Sequence, residues 1–123
     1  MKKQLMIVTL AGSAASVFAG DWTGFRGPLG NGLSDEVGLP VKLSAEKHVA
    51  WKTSLPGKGL SSPLVVGDRV FVTASGGTRQ DRLQILCLNA ADGSVIWKRQ
   101  FWVMGSTMCH KKTSVAAPTP VTD

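Results

Sequence analysis

The sequence predicts an all-β fold made of short antiparallel strands. Turn-forming residues are frequent, with 14 Gly and 6 Pro among 123 residues, which favours many short strands over long helices. Between these breakers lie short runs of β-branched and apolar residues that alternate with the two-residue period of a strand. The chain is 43% hydrophobic and 18% charged, which indicates a globular polypeptide and excludes an intrinsically disordered one.

The first residues resemble a leader more than a part of the fold. The stretch "MKKQLMIVTLAGSAASVFAG" begins with Lys2 and Lys3, continues as an apolar run and ends in small residues. This order is typical of a cleaved signal peptide, which we assign to residues 1–19. An uncleaved anchor is the alternative, although a span needs about 20 apolar residues. Because no lipobox Cys lies near the cleavage point, we expect a periplasmic or secreted protein without an integral membrane segment after cleavage.

The charge of the mature chain is modest and scattered. Losing Lys2 and Lys3 leaves 12 of the 14 basic residues against 8 acidic ones. The adjacent basic pairs that remain are Lys98-Arg99 and Lys111-Lys112. A nucleic-acid surface usually presents a denser basic stripe with interleaved aromatic residues. The sequence therefore predicts no nucleic-acid partner.

A Gly/Pro-rich arm follows the leader and occupies residues 20–47. Six Gly and two Pro fall within residues 20–40, a density that leaves no helical or strand period. We expect an irregular segment with Trp22 and Phe25 as its large apolar anchors.

Residues 48–55, "HVAWKTSL", then alternate as a strand does. The pattern places Val49, Trp51 and Thr53 on one face, with Ala50, Lys52 and Ser54 on the other. We predict a strand here, ended by the "PGKG" that follows.

Four further strands are predicted at about 62–66, 69–75, 82–89 and 94–101. Gly67-Asp68 suits a hairpin turn between the first two, and Asp92-Gly93 suits a turn between the last two. Up-and-down order makes a single four-stranded antiparallel sheet the expected product.

Parts of this pattern occur twice. "IWKRQF" at 96–101 echoes "AWKTSL" at 50–55, and "AAPTPVTD" at 116–123 echoes "SSPLVVGD" at 61–68. Four strands in a unit of roughly 40–50 residues are typical of a β-propeller blade. We interpret 61–101 as the first complete blade and 102–123 as an inter-blade loop with the truncated start of a second. The chain is therefore expected to be an N-terminal fragment of a longer protein.

"CLNAADGSVIW" resembles the repeat of the pyrroloquinoline-quinone-type (PQQ-like) β-propellers. "DWTGFRGPLGNGLSDE", "AWKTSLPGKGLSSPLVVGDRVFV" and "HKKTSVAAPTPVTD" resemble the opening of secreted bacterial members of that group. The resemblance covers about 21–123, with one departure at Asn89, where the repeat more often has Asp. It implies a quinoprotein-like propeller of seven or eight blades in the full protein, in which 48–55 is the outer closing strand of the last blade.

The resemblance also implies structural roles for four residues. Trp97 is expected to stack on the neighbouring blade beside its Asp-Gly turn, and Trp51 to do the same from the last blade. Asp92 and Gly93 form the turn that receives such a Trp. The predicted sites are thus blade-docking contacts, and no catalytic residue is assigned.

Only the family resemblance suggests a cofactor for this chain. In catalytic PQQ dehydrogenases it would imply a quinone between a Trp and a vicinal disulfide, with Ca²⁺ held by Glu, Asn and Asp. Cys87 and Cys109 lie 22 positions apart, and no acidic cluster has cation-ligand spacing. We therefore predict no cofactor and no metal for this chain.

The two cysteines leave further alternatives. Cys87 lies in the apolar run "LQILCLN", where a buried thiol behaves as a small hydrophobe. A Cys87–Cys109 disulfide stays open at this point. Cys109 and His110 lie near two methionines, and such soft ligands are compatible with a copper site. The simpler interpretation is that these residues belong to a long inter-blade loop.

These observations favour an exported PQQ-like propeller that acts as a binding or scaffold platform for an unknown protein or polysaccharide. One alternative is a PQQ-dependent quinoprotein oxidoreductase whose active-site residues lie beyond Asp123. Another is an outer-membrane protein assembly factor of the same fold, against which the missing lipobox Cys argues.

Overall fold

A computed structural model describes residues 20–44 and 46–122, so the predicted signal peptide lies outside the described residues. Its sheet contains four strands: β1 (Leu64–Val66), β2 (Arg69–Gly76), β3 (Arg82–Asn89) and β4 (Val95–Trp102). The strands lie in the order β1-β2-β3-β4, and each neighbouring pair is antiparallel. No helix occurs in the described ranges. The all-β class and the single up-and-down sheet are confirmed.

The strand bounds differ slightly from the predicted ones. β1 begins at Leu64 because the preceding Pro63 has no backbone N–H to give to a ladder. Between β3 and β4 the register shifts, since Cys87 faces Trp97 whereas Leu88 faces Val95. Ile96 is therefore the extra residue of a β-bulge, which increases the local twist of the outer strand.

One face of the sheet carries the core, and we name it the Trp51 face. Val70 pairs with Leu88 and Val72 with Leu86, so these apolar side chains share the face. Leu86 and Leu88 are buried there together with Ala74. Trp51 and Leu55 pack over them from the preceding segment and exclude water from this side of the sheet.

The other face, named the Trp97 face, carries a row across three strands. Phe71 pairs with Cys87, and Cys87 pairs with Trp97. The rings of Phe71 and Trp97 lie 6.0 Å apart at an interplanar angle of 53°, a tilted aromatic contact. Further along β4, Phe101 is 49% exposed, so the outer part of this face has no cover among the described residues.

None of the positions 48–55 belongs to a strand or an isolated bridge among the described residues, so the outer closing strand of the last blade stays a prediction. A strand needs a ladder partner, and no described segment provides one. The predicted alternation survives in the burial, since Trp51 and Thr53 are half-buried while Ser54 is exposed. Val49, expected on the Trp51 side, is exposed. The alternation of apolar and polar residues thus indicates which side chains face the sheet. Whether the segment is a strand depends on backbone hydrogen bonds to a neighbouring strand.

The N-terminal arm is irregular, as predicted, and is fastened by one of its two expected anchors. Trp22 exchanges both backbone hydrogen bonds with Val65, at 2.7 and 3.0 Å. Its ring lies against Gly27, where a Cβ would come within 2.9 Å of the indole. Phe25 is 66% exposed, so its predicted anchoring role is wrong. Gly27 thus packs against the Trp22 indole, whereas Phe25 makes no comparable contact among the described residues and lies in solvent.

The C-terminal segment lies alongside the inner part of the sheet. The hydroxyl of Thr119 accepts a hydrogen bond from the backbone N–H of Ser62 at 2.9 Å. The Thr73 hydroxyl donates to the carbonyl of Ala116 at 3.5 Å, and Ala116 is buried. Residues 116–122 therefore contact the segment whose sequence they echo.

Candidate functional site: an indole on a turn and a cleft between loops

Residues 89–93 form the turn between β3 and β4, named here the 89–93 turn. The Gly93 N–H donates to the carbonyl of Asn89 at 2.8 Å, and Gly93 has a φ of 71°. The Asn89 side-chain oxygen accepts from the Ala91 N–H at 2.8 Å. Asn89 thus makes the local side-chain bond that an Asp would make there, and the departure from the repeat pattern leaves the turn intact.

Asp92 stabilises the same turn from its exposed side. Its carboxylate accepts from the Ser94 hydroxyl at 2.6 Å and from the Ser94 N–H at 2.9 Å. These bonds, the hydroxyl first, favour the ionised form and hold the pKa of Asp92 below its usual value. Asp92 therefore acts within the turn.

Trp51 covers the 89–93 turn. Its indole nitrogen donates to the carbonyl of Ala90 at 2.8 Å, and the Thr53 hydroxyl donates to the carbonyl of Gly93 at 2.6 Å. A Cβ on Gly93 would overlap the Trp51 ring, so only glycine allows this approach. The structure brings together three of the four predicted site residues, Trp51, Asp92 and Gly93.

Trp97, the fourth predicted residue, lies elsewhere. It belongs to the Trp97 face, half-buried against Phe71, on the opposite side of the sheet from Trp51. Among the described residues no second turn meets its indole. Trp51 therefore covers one face of the sheet, and Trp97 is presented on the other. This arrangement is expected of a unit that stacks between two others.

A cleft that sequence reasoning missed lies at the opposite end of the sheet from the 89–93 turn. The up-and-down order brings the end of β2, the start of β3 and the end of β4 to this end. Loop 77–81 and residues 103–109 enclose a cleft of about 750 Å³. Arg79, Asp81 and Met108 are among its lining residues. Both segments are loops without periodicity, so no local pattern indicated the cleft.

Gln80 holds the two sides of this cleft together. Its side-chain oxygen accepts from the Ser75 hydroxyl at 2.9 Å and from the Val115 N–H at 3.3 Å. Its side-chain nitrogen donates to the Cys109 sulfur at 3.2 Å. On the other side, the Val103 N–H donates to the carbonyl of Asp81 at 2.9 Å. One amide side chain thus joins β2, the long loop and the C-terminal segment.

A protein-family model described as "Outer membrane protein assembly factor BamB" matches residues 33–119. The chain belongs to this family of PQQ-type repeat proteins. The match includes Trp51, the 89–93 turn and all four strands, and it confirms the predicted resemblance and the β-propeller fold class. Comparisons with curated proteins and with solved structures gave no match.

The cysteines of this PQQ-type repeat protein lie in contrasting surroundings. Cys87 is fully buried in β3, Cys109 is exposed in the long loop, and both thiols are free. The structure thus answers the open question of a Cys87–Cys109 disulfide with two unpaired thiols. Neither cysteine belongs to an adjacent pair of the kind that the resemblance implies for catalytic members.

The described part of the chain holds neither a cluster of metal ligands nor a helix that could span a membrane. Across residues 20–44 and 46–122, no three His, Cys, Asp or Glu side chains lie close enough together to hold a metal ion. The His110 ring nitrogen Nδ1 accepts a hydrogen bond from the Lys112 N–H at 3.2 Å. Over the same residues, no helix combines the length and the apolar character needed to cross a bilayer.

Proposed function

We propose that this chain belongs to an exported PQQ-type propeller that binds other proteins and acts as a scaffold for them. The observation that carries the proposal is the match of residues 33–119 to a family of outer membrane protein assembly factors. An assembly factor works by binding other proteins.

The architecture supports a scaffolding role. The Trp51 face is covered by Trp51 and Leu55, and the Trp97 face presents an indole suited to a neighbouring blade. Both faces of the sheet are then used to build the propeller, and the loop ends stay available for partners. The sequence of residues 1–19 supports export.

The proposal can be tested by cross-linking in intact cells. The protein that contains this chain, carrying an affinity tag, is expressed in the producing bacterium, treated with an amine-reactive cross-linker and purified under denaturing conditions. We expect a small set of envelope proteins in constant ratio to the tagged protein. The matched control lacks residues 1–19, and it should remain in the cytoplasm and capture none of them.

A second measurement tests the alternative that the protein is a PQQ-dependent oxidoreductase. The purified protein is incubated with PQQ and Ca²⁺, and its visible absorbance and dye-linked alcohol oxidation are measured. Absence of envelope partners together with a bound quinone spectrum and alcohol oxidation would overturn the scaffold proposal in favour of an oxidoreductase.

A further inference from the structure

The cleft between loop 77–81 and residues 103–109 lies where a propeller stays open. Neighbouring blades cover the faces of a sheet, whereas the ends of the strands face solvent. Met104 and Met108 in this loop are 93% and 95% exposed, so both side chains are accessible to a partner at this end of the sheet. The volume of about 750 Å³ is within the range of small-ligand and peptide pockets.

The charge at this end of the sheet is strongly positive. Segments 56–59, 76–82 and 103–113 carry one carboxylate, Asp81, against five cations: Lys58, Arg79, Arg82, Lys111 and Lys112. Lys58 reaches this end directly, since its ammonium group donates to the carbonyl of Lys111 at 2.9 Å. The other four cations form no ion pair within the described residues, where the one ion pair joins Arg69 to Asp68 at 3.6 Å.

The opposite end of the sheet carries the reverse sign. Asp68 and Asp92 lie in its two turns, and Asp21 accepts a hydrogen bond from the Gly67 N–H at 2.8 Å. Arg69 lies among them, and Lys52 lies between Trp51 and Thr53, which bind the 89–93 turn. The positive charge is therefore localised at the cleft, and it selects for a negatively charged ligand there.

We propose that this cleft binds an acidic, extended peptide segment of a partner protein. Arg79, which lines the cleft, contacts its carboxylates, and Met108 receives one of its apolar side chains. The Lys111-Lys112 pair, two residues beyond the lining residue Cys109, adds attraction for the acidic segment. Gln80 is a positioning residue that holds the two loops at the spacing the peptide needs. This inference rests on the proposed scaffold function and specifies the chemistry of its partner.

The exposed methionines favour a peptide over other polyanions. A thioether side chain is flexible and polarizable, so it packs against varied apolar side chains. A polysaccharide has no such side chains. An anionic membrane favours a broad basic surface, whereas here Arg79 lines a concave site with polar and apolar residues, and the other cations lie in the adjoining segments.

The experiment measures binding of a defined probe by fluorescence anisotropy. The probe is a fluorescein-labelled decapeptide of alternating Glu and Leu, and its control is the same peptide with Gln in place of Glu. The purified chain is compared with Arg79→Glu, the milder Arg79→Gln, Met108→Ser and the matched control Arg69→Glu at the opposite end. Arg79 and Arg69 are exposed, and β-sheet circular dichroism checks that each variant is folded.

We expect Arg79→Glu to raise the Kd of the acidic probe at least tenfold, Arg79→Gln to raise it by an intermediate factor and Met108→Ser at least threefold. Arg69→Glu should leave the Kd within twofold, and the Gln probe should bind at least tenfold more weakly. Equal effects of Arg79→Glu and Arg69→Glu would overturn the proposal, as would equal binding of the two probes. So would displacement of the probe by phosphatidylglycerol vesicles or polygalacturonate with higher affinity than by unlabelled peptide.

The two proposals fail separately. If Arg79→Glu leaves the envelope proteins cross-linked in cells unchanged, the cleft is not their binding site and the scaffold function stands. If no envelope protein is cross-linked at all, the scaffold function fails regardless of how the probe binds.

Discussion

The indole nitrogen of Trp51 donates a 2.8 Å hydrogen bond to the carbonyl of Ala90, 39 positions later in the chain. Around this bond the Trp51 ring lies directly on Gly93, and Thr53 binds the Gly93 carbonyl. A segment outside the sheet is thereby fixed to the turn of β3 and β4. Because Trp51 also packs against the buried cluster of Ala74, Leu86 and Leu88, it joins the turn, the core and the N-terminal segment.

We predict that Gly93→Ala destabilises the fold by about 2–5 kcal/mol. A left-handed residue with a Cβ costs about 1–2 kcal/mol, and overlap with the Trp51 ring adds about 1–3 kcal/mol. The matched control is Gly67→Ala, since Gly67 also has a positive φ but has open space at its Cβ. Urea unfolding should show only the backbone cost for Gly67→Ala. Equal losses for the two variants would mean that Trp51 does not pack on the turn.

Trp97→Ala tests whether the Trp97 face docks on another blade. In a protein that carries further repeats, we expect a loss of roughly 3–5 kcal/mol, as for other buried Trp truncations. In the 123-residue chain the loss should be about 1–2 kcal/mol, because Trp97 is only half-buried against Phe71. The free energies of unfolding of both forms are measured with urea. A loss below about 1 kcal/mol in the longer form would contradict docking through Trp97.

The two thiols should react at very different rates. We expect one equivalent of a thiol reagent to react rapidly with the native chain at Cys109, and the second to react only on unfolding, at Cys87. Burial in β3 protects Cys87, since reaction there requires the sheet to open. Cys109→Ser should remove the rapid phase. Rapid reaction of both thiols in the native chain would contradict the burial of Cys87 in β3. If neither thiol reacted in denaturant, the two cysteines would form a disulfide.

The Asp92 carboxylate should give the turn a defined pH dependence. Its pKa is lowered from 3.8, chiefly by the hydrogen bond from the Ser94 hydroxyl, so the ionised form is favoured in the folded state. Its contribution to stability is therefore present above that ordinary value and is lost as the pH falls through the lowered pKa. Carboxyl NMR titration should show the Asp92 pKa rising towards 3.8 in Ser94→Ala. An Asp92 pKa already at 3.8 in the native chain would refute the turn geometry.

Much of the sheet was predictable because its signals are local. Alternation located β2, β3 and β4 to within one residue at each end, and Gly67 and Gly93 marked the turns. The strand at 48–55 has no ladder partner among the described residues and stays a prediction, because no local pattern reveals its partner. Only the family resemblance pointed to the pairing of Trp51 with the turn, since its partner is 39 positions away.

The cleft could not be predicted, for a related reason. Gln80 acts through Ser75, Cys109 and Val115, and the last two are distant in sequence. A lone Gln in a polar loop carries no pattern that distinguishes such a role from a solvated side chain. The basic residues around the cleft also looked scattered in sequence, and only the strand order collects them at one end.

Hydrogen exchange of the indole protons tests the central claim most directly. The four Trp indole N–H groups of the ¹⁵N-labelled chain can be followed individually by NMR. Trp51, bonded to Ala90, should exchange at least tenfold more slowly than Trp102, which is 65% exposed. If the Trp51 indole exchanges as fast as that of Trp102, Trp51 does not dock on the 89–93 turn and the central claim is wrong.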